Sequence, residues 1–411
     1  MTQDTMRSSF PDGAPIPRRY GILARVVLSG VFLLLLLVTA EWFVRLAWYR
    51  HEVCGWKALK APRQETNQCG FRGQPVAYTD EDYVILLVGD SQVEAVACTY
   101  AGMPERRLEH YLNTMGRRVR VFTLGAGGYG QDQELLALQE YYRKYRADLV
   151  LVWFTPINDI WDNMFPTHWP KNGPAKPTFW LENGRLCGPN HGFGPVPCEG
   201  SRIVDILRRR FIHADKDGEW ERQHLPRSYA PLVGYSGPTA TNLQALWDAN
   251  LGGFRGDSLD NEKSRRAIFL TPRSARMAYG LDLTRRLLLE MQKLVTARNG
   301  SLDLFWPVIE DDLPAPGTEH VERLNGKDYR VSRQQYDANL AEIARGFRLV
   351  NVPVTMKDHA VGPADTHLNE RAVDEVMREL AATLHGAIPT RRGAPAATGT
   401  ASAKIADGDH G

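Results

Sequence analysis

The apolar residues of this chain fall into two patterns. The first is one long run near the start. Val26 to Ala40 reads VVLSGVFLLLLLVTA without a charge, and Gly21 to Val44 extends it past Arg25 and Glu41. That meets the ~20 residues a helix needs to cross the hydrocarbon core of a bilayer. Arg25 and Glu41 sit where a side chain can reach the interface, and Trp42, Trp48 and Tyr49 supply an aromatic belt. The run predicts a transmembrane signal anchor over 21–44, after a polar, disordered start at 1–19 and before a linker at 45–80. A buried core helix and a cleaved signal peptide are the competing readings. The first fits a charge-free N-terminal run poorly. The second is disfavoured by the long polar lead and by Val38-Thr39-Ala40, an indifferent cleavage site.

The second pattern is a series of short, near-continuous apolar runs: Tyr83–Val88, Val119–Thr123, Leu149–Phe154, Leu302–Val308 and Arg348–Val352. Strands covered on both faces read this way, whereas half-exposed strands alternate. Helical spacing separates them, at Pro104–Met115, Asp132–Tyr145, Ala275–Arg298, Arg333–Arg345 and Glu370–Leu384. Such alternation predicts an α/β fold: a three-layer αβα domain over 81–388 with a five-stranded parallel, flavodoxin-like sheet. Residues from about 162 to 273 break the rhythm. They are rich in Pro, Gly and Trp, carry a hairpin signal at Asn183-Gly184, and read as an insertion. The segment 389–411 lacks the apolar content to order itself and reads as a disordered tail.

Composition narrows the class without naming it. The 411 residues hold 50 Lys+Arg against 48 Asp+Glu, a net charge of +2 with the signs mixed, so no basic face argues for nucleic acid. Positive charges flank both sides of the apolar run and do not orient it. Of five cysteines, Cys54/Cys69 and Cys187/Cys198 form two local pairs that would suit an oxidising compartment, leaving Cys98 over. On that ground the body is expected outside the cytoplasm, and unpaired thiols in a cytosolic protein remain the alternative.

Chemistry in an open parallel sheet belongs beyond the carboxyl ends of the strands. There the sequence places Gly89-Asp90-Ser91, then Gly125-Ala126-Gly127-Gly128-Tyr129-Gly130, then Thr155-Pro156-Ile157-Asn158-Asp159, and before the last helix Asp365-Thr366-His367. A hydroxyl becomes a useful nucleophile when an imidazole removes its proton. A carboxylate holds that imidazole in the right tautomer. Preorganised N–H donors stabilise the tetrahedral oxyanion. Each piece alone has a plainer reading, as a turn tripeptide, a helix start or an Asx turn. Four in order at strand ends is what makes a site.

These blocks resemble those of the SGNH/GDSL hydrolase superfamily, over roughly 80–160 and 300–385. Gly89-Asp90-Ser91 is similar to the nucleophile block, with Gln92 where the family name has Leu. Thr123 to Gly128 is similar to the glycine block, with Thr123 replacing the usual Asn. Pro156-Ile157-Asn158-Asp159 is similar to the GxND block, with Pro156 for Gly. Asp365-Thr366-His367-Leu368-Asn369 is similar to the last block, with Asp-x-His in place of the commoner Asp-x-x-His. The resemblance implies a catalytic triad of Ser91 as nucleophile, His367 as general base then acid, and Asp365 orienting it. It further implies an oxyanion hole from the Ser91 and Gly128 N–H groups and the Asn158 side chain. The expectation is a membrane-anchored serine esterase that removes a small acyl group, such as acetyl, from an extracytoplasmic carbohydrate or lipid.

Three further readings bear on that expectation. An O-acyltransferase acting on an envelope polysaccharide would use the same residues. A non-catalytic glycan-binding or scaffold subunit would use Trp161, Trp169 and Trp180 to stack on sugars. Gly125 to Gly130 also fits a dinucleotide fingerprint, but Asp148 begins the next strand rather than ending it, and a strand already precedes the unit. No cofactor is expected. No Cys/His spacing resembles a zinc site, so His168 and His191 read as loop or surface residues and Cys98 as a buried thiol.

Overall fold

The computed structural model describes residues 18–48, 65–190, 201, 203–204, 215–245, 258–310, 313–362 and 365–389. The expected disordered ends fall almost wholly outside these, as do Cys54, Cys198 and His191, so neither local cysteine pairing is seen.

The first apolar run is helix α1, Arg18–Trp48. Its large apolar side chains between Ile22 and Phe43 are exposed rather than packed into a core. The apolar stretch Gly21–Val44, 24 residues, is long and apolar enough to cross a membrane, a test a signal sequence also passes. At 1.5 Å per residue it measures about 36 Å, against ~30 Å of hydrocarbon. This helix belongs to a different compact unit from the sheet.

The central sheet contains strands β1 (Tyr83–Gly89), β2 (Val119–Gly125), β3 (Leu149–Trp153), β7 (Ser301–Val308) and β10 (Arg348–Pro353). Their order is β10-β7-β3-β1-β2, every pair parallel. This is the flavodoxin-like doubly wound order, with its switch point between β1 and β3. The alternation of side chains along each strand divides the core. Val84, Leu86 and Val88 face one apolar cluster with α4 (Gln131–Tyr141) and α7 (Ala275–Thr296). Ile85 and Leu87 face another with α3 (Pro104–Thr114) and α9 (Glu370–His385). Both faces being dry is why these strands read as unbroken apolar runs.

Outside the sheet, β4 (Trp180–Glu182) and β5 (Arg185–Cys187) form the hairpin expected at Asn183-Gly184, both turn residues having positive φ. A three-stranded sheet, β6 (Thr239–Asn242), β8 (Glu319–Leu324) and β9 (Lys327–Ser332), was not expected. Residues 65–80, at the end of the stretch read as a linker, are tied to the sheet domain: Phe71 is buried, and Arg72 donates to the carbonyls of Ala95 and Cys98. One placement needs correction. Asp365 to His367 does not trail the fifth strand but lies in its own short strand, β12 (Asp365–Leu368), antiparallel to β11 (Ala360–Gly362).

Candidate active site

The parallel register brings the strand ends to one level: Gly89 faces Gly125 on one side and Trp153 on the other, and Trp153 faces Phe305. Immediately past Gly89 the chain turns into a one-turn helix, α2 (Ser91–Glu94). Asp90 caps it by accepting from the Gln92 N–H at 2.9 Å. The turn lies so close to the sheet that a Cβ at Gly89 or Gly125 would meet the Val93 side chain at 2.6 or 2.5 Å. The two glycines let the Ser91 turn sit down on the strand ends.

Ser91 at the start of this turn meets the C-terminal hairpin. His367 Nε2 lies 2.8 Å from Ser91 Oγ. His367 Nδ1–H donates to Asp365 Oδ1, which also accepts the His367 backbone N–H at 3.1 Å. The hairpin is fixed from both ends. Leu368 N–H donates to Gln92 Oε1 at 3.2 Å, and Asn369 caps α9 by accepting from Ala372 at 3.0 Å. Serine, imidazole and carboxylate, 274 or more residues apart from first to last, form one hydrogen-bonded row. Partial burial of Asp365 pushes its carboxyl up, but the hydrogen bonds from His367 outweigh this and hold it below the ordinary carboxylate value.

Gly128 and Asn158 lie on the same rim. Gly128 has φ +76°, a conformation suited to glycine, and a Cβ there would meet the His168 ring at 2.9 Å. His168 Nδ1 lies 3.0 Å from the Gly128 carbonyl oxygen and donates to it. Burial pushes the His168 imidazole down to about 3, with Lys176 adding to the effect, so the ring is neutral and Nδ1 carries the proton. His168 does lie in a loop of the insertion, but it is turned inward rather than to the surface, where it braces the glycine block. The neighbouring Gly127 N–H is already committed, donating to Glu94 Oε2 at 2.8 Å.

Asn158 precedes α5 (Asp159–Met164) without capping it. Its Nδ2 lies 3.4 Å from Asp90 Oδ2, and its Oδ1 has no hydrogen-bond partner among the described residues. The loop that presents it is pinned by Asp159, which accepts from Thr155 N–H at 2.9 Å and from Gln131 Nε2 at 2.6 Å. Asn163 extends the layer to Gln131 and Thr284, at 2.7 and 2.8 Å. Burial pushes the Asp159 carboxyl well up, and the neighbouring Asp90 and Glu134 push it further.

The remaining candidates fall away from this rim. Cys98 is buried, and burial together with Glu370 pushes its thiol up to about 11, far from a reactive thiolate. Trp161 is not a sugar platform: it is buried, its indole N–H donating to Ile157 O at 2.8 Å. Trp180 packs edge-on against Trp220 at 5.8 Å. Gln92, Glu94 and His168 were missed as supporting residues. For Gln92 and Glu94 the signal was adjacency to Ser91; for His168 there was none.

No family model matches the chain, and no curated protein matches it. Matching solved structures include a psychrotrophic esterase from Pseudoalteromonas sp., 11% identical, covering 74% of this chain and 98% of that one at a TM-score of 0.33. An acetyl xylan esterase from the rumen bacterium Butyrivibrio proteoclasticus is 10% identical over 76% of this chain and 66% of that one, TM-score 0.34. A two-domain esterase active on acetylated mannans is 8% identical over 79% and 54%, TM-score 0.32. Esterases and acylhydrolases are thus among the solved folds this chain matches, the class that the four sequence blocks resemble.

Proposed function

We propose that this chain is a serine esterase held at a membrane by α1, with its sheet domain outside the cytoplasm. The observation that carries the reading is the row Ser91 Oγ–His367–Asp365, with 2.8 Å between hydroxyl and imidazole. In the proposed reaction Ser91 Oγ attacks the ester carbonyl while His367 Nε2 takes its proton. Asp365 fixes the tautomer through Nδ1–H and stabilises the imidazolium that forms. The oxyanion is met by the N–H groups of Ser91 and Gly128 and by Asn158 Nδ2, each such donor worth roughly 3–4 kcal/mol. His367 then protonates the leaving alcohol, and water activated by the same imidazole releases the acid.

Hydrolysis is favoured over acyl transfer by exposure. The His367 and Asp365 side chains are 34% and 50% exposed, so water reaches the imidazole that would activate an acceptor, and a transferase must exclude it. The test is direct. The full-length chain in detergent should hydrolyse a short-chain 4-nitrophenyl ester and take a fluorophosphonate label on Ser91. Ser91→Ala should remove the label and lower turnover by about a thousandfold or more. Wild-type turnover in that variant would sink the reading.

A further inference from the structure

Beside His367, on the side of the rim away from Gly128, lies a cavity of about 390 Å³. Its lining is more apolar than polar, with Ile157, Phe269, Val308 and Tyr336 among the apolar residues. Cavities of roughly 300–1,000 Å³ hold drug-sized ligands, so an acetyl group would leave most of this one unfilled. The expectation of a small acyl group does not explain it.

The charged side chains in its described lining are of one sign. Arg265 and Arg266, both half-buried and both from the end of the insertion, line it, and no Asp or Glu does so among the described residues. Arg265 reaches across to the hairpin, its Nη1 donating to Thr366 Oγ1 at 3.2 Å, which places a guanidinium next to the Asp365–His367 strand. The Arg266 guanidinium makes no ion pair and no side-chain hydrogen bond among the described residues, although its backbone N–H is bonded to Ser264 Oγ. A guanidinium drawn partly out of water beside apolar walls is unfavourable unless an anion meets it. A planar fork of donors matches a carboxylate or phosphate two oxygens at a time.

We propose that this cavity binds an anionic amphiphile: the ester substrate carries an apolar segment several carbons long that ends in an oxyanion, and Arg265 and Arg266 hold that oxyanion. The proposal deepens the esterase reading and rests on it for the identity of the reacting group, but binding can be tested apart from turnover. Ser91→Ala protein, full length in detergent, would be titrated calorimetrically with monoethyl adipate and with ethyl hexanoate, esters of equal chain length that differ in a terminal carboxylate. A third arm uses the 6-phosphonohexanoate ethyl ester, to separate carboxylate from phosphate-like anions.

The anionic esters should bind at least about tenfold tighter than the neutral one, as a charge-assisted hydrogen bond in a partly desolvated site implies. Adding Arg266→Gln should bring all three within about threefold of one another. Because Arg266 has no ion pair to lose among the described residues, a thermal midpoint unchanged by the substitution will show that the fold survives. Equal binding of neutral and anionic esters by the Ser91→Ala protein would overturn the proposal, and so would a preference that survives Arg266→Gln with Arg265→Gln. Failure of the esterase reading has a different signature: no phosphonate label on Ser91 and no turnover, whatever the cavity binds.

Discussion

Two aspartates flank the Ser91–His367 pair, and they are opposites. Asp90 precedes Ser91 in sequence, is fully buried, and spends its oxygens on the Gln92 N–H and on Asn158. Burial pushes its carboxyl up despite those bonds and despite the nearby His367. Asp365 precedes His367 by two residues, has a half-exposed side chain, and bonds the imidazole. Its carboxyl is held below the ordinary value. One residue type thus does two jobs at one site. The buried acid builds the turn that carries Ser91, and in the proposed reaction the exposed acid supplies the negative charge that an imidazolium needs. Solvent is what separates them, since desolvation disfavours an ion that a hydrogen bond alone would favour.

The sharpest way to break this comparison is to neutralise each acid without changing its shape. Asp365→Asn should lower kcat by about 10²–10⁴, because an amide can hold the imidazole in the wrong tautomer. Asp90→Asn keeps an oxygen to accept the Gln92 N–H and should lower kcat by less than about tenfold. Steady-state hydrolysis of a 4-nitrophenyl ester by both variants decides it. A larger loss in Asp90→Asn would mean that the buried carboxylate, not the exposed one, supports the imidazolium. The acid side of the wild-type rate profile carries the same information. Asp365 stays ionised below the usual carboxylate range, so rate lost as pH falls from neutral towards that range is not owed to protonation of Asp365.

Why the sequence separated these roles only in part is a matter of range. The five sheet strands were legible because both faces of the sheet are buried, so runs such as Val84–Val88 carry no polar interruption. Three of the four blocks were legible because each follows a strand end, and the fourth because it stands just before the last helix. The β8–β9 hairpin escaped because its strands, Glu319–Leu324 and Lys327–Ser332, mix charged with apolar residues. The Asn325-Gly326 turn between them, both residues at positive φ, was an available signal. The β11–β12 strands are too short to show a period. The bond from His168 to Gly128 spans 40 positions, and that from Arg265 to Thr366 spans 101. No local pattern encodes such a contact.

The brace between His168 and Gly128 gives a smaller test, on the buried side of the same rim. If the imidazole fixes the glycine whose N–H faces the oxyanion, His168→Ala should lower kcat by about 10–100-fold with KM nearly unchanged, since the interaction matters most in the transition state. His168→Asn places an amide N–H close to the position of Nδ1 and should recover most of that loss. A purely structural role would instead lower the thermal midpoint in step with activity and would not show the split between kcat and KM.

The smallest effect extends the rule of the buried acid away from the site. Glu105, at the start of α3, is fully buried; its Oε1 accepts from the Gln74 N–H at 3.3 Å and its Oε2 has no hydrogen-bond partner among the described residues. Burial pushes its carboxyl up to about 7 from an ordinary 4.5. Between those two values the folded chain binds more protons than the unfolded one, so this residue makes stability fall as pH rises through that window. The full cost, reached above about pH 7, is on the order of 3 kcal/mol at most. Glu105→Gln removes the ionisation, so its thermal midpoint relative to wild type should climb between about pH 4.5 and 7 and level off outside that range. A difference that stays flat across the window would mean that the buried carboxyl is solvated in solution. The contrast between the two aspartates would then owe less to burial than to their hydrogen-bond partners.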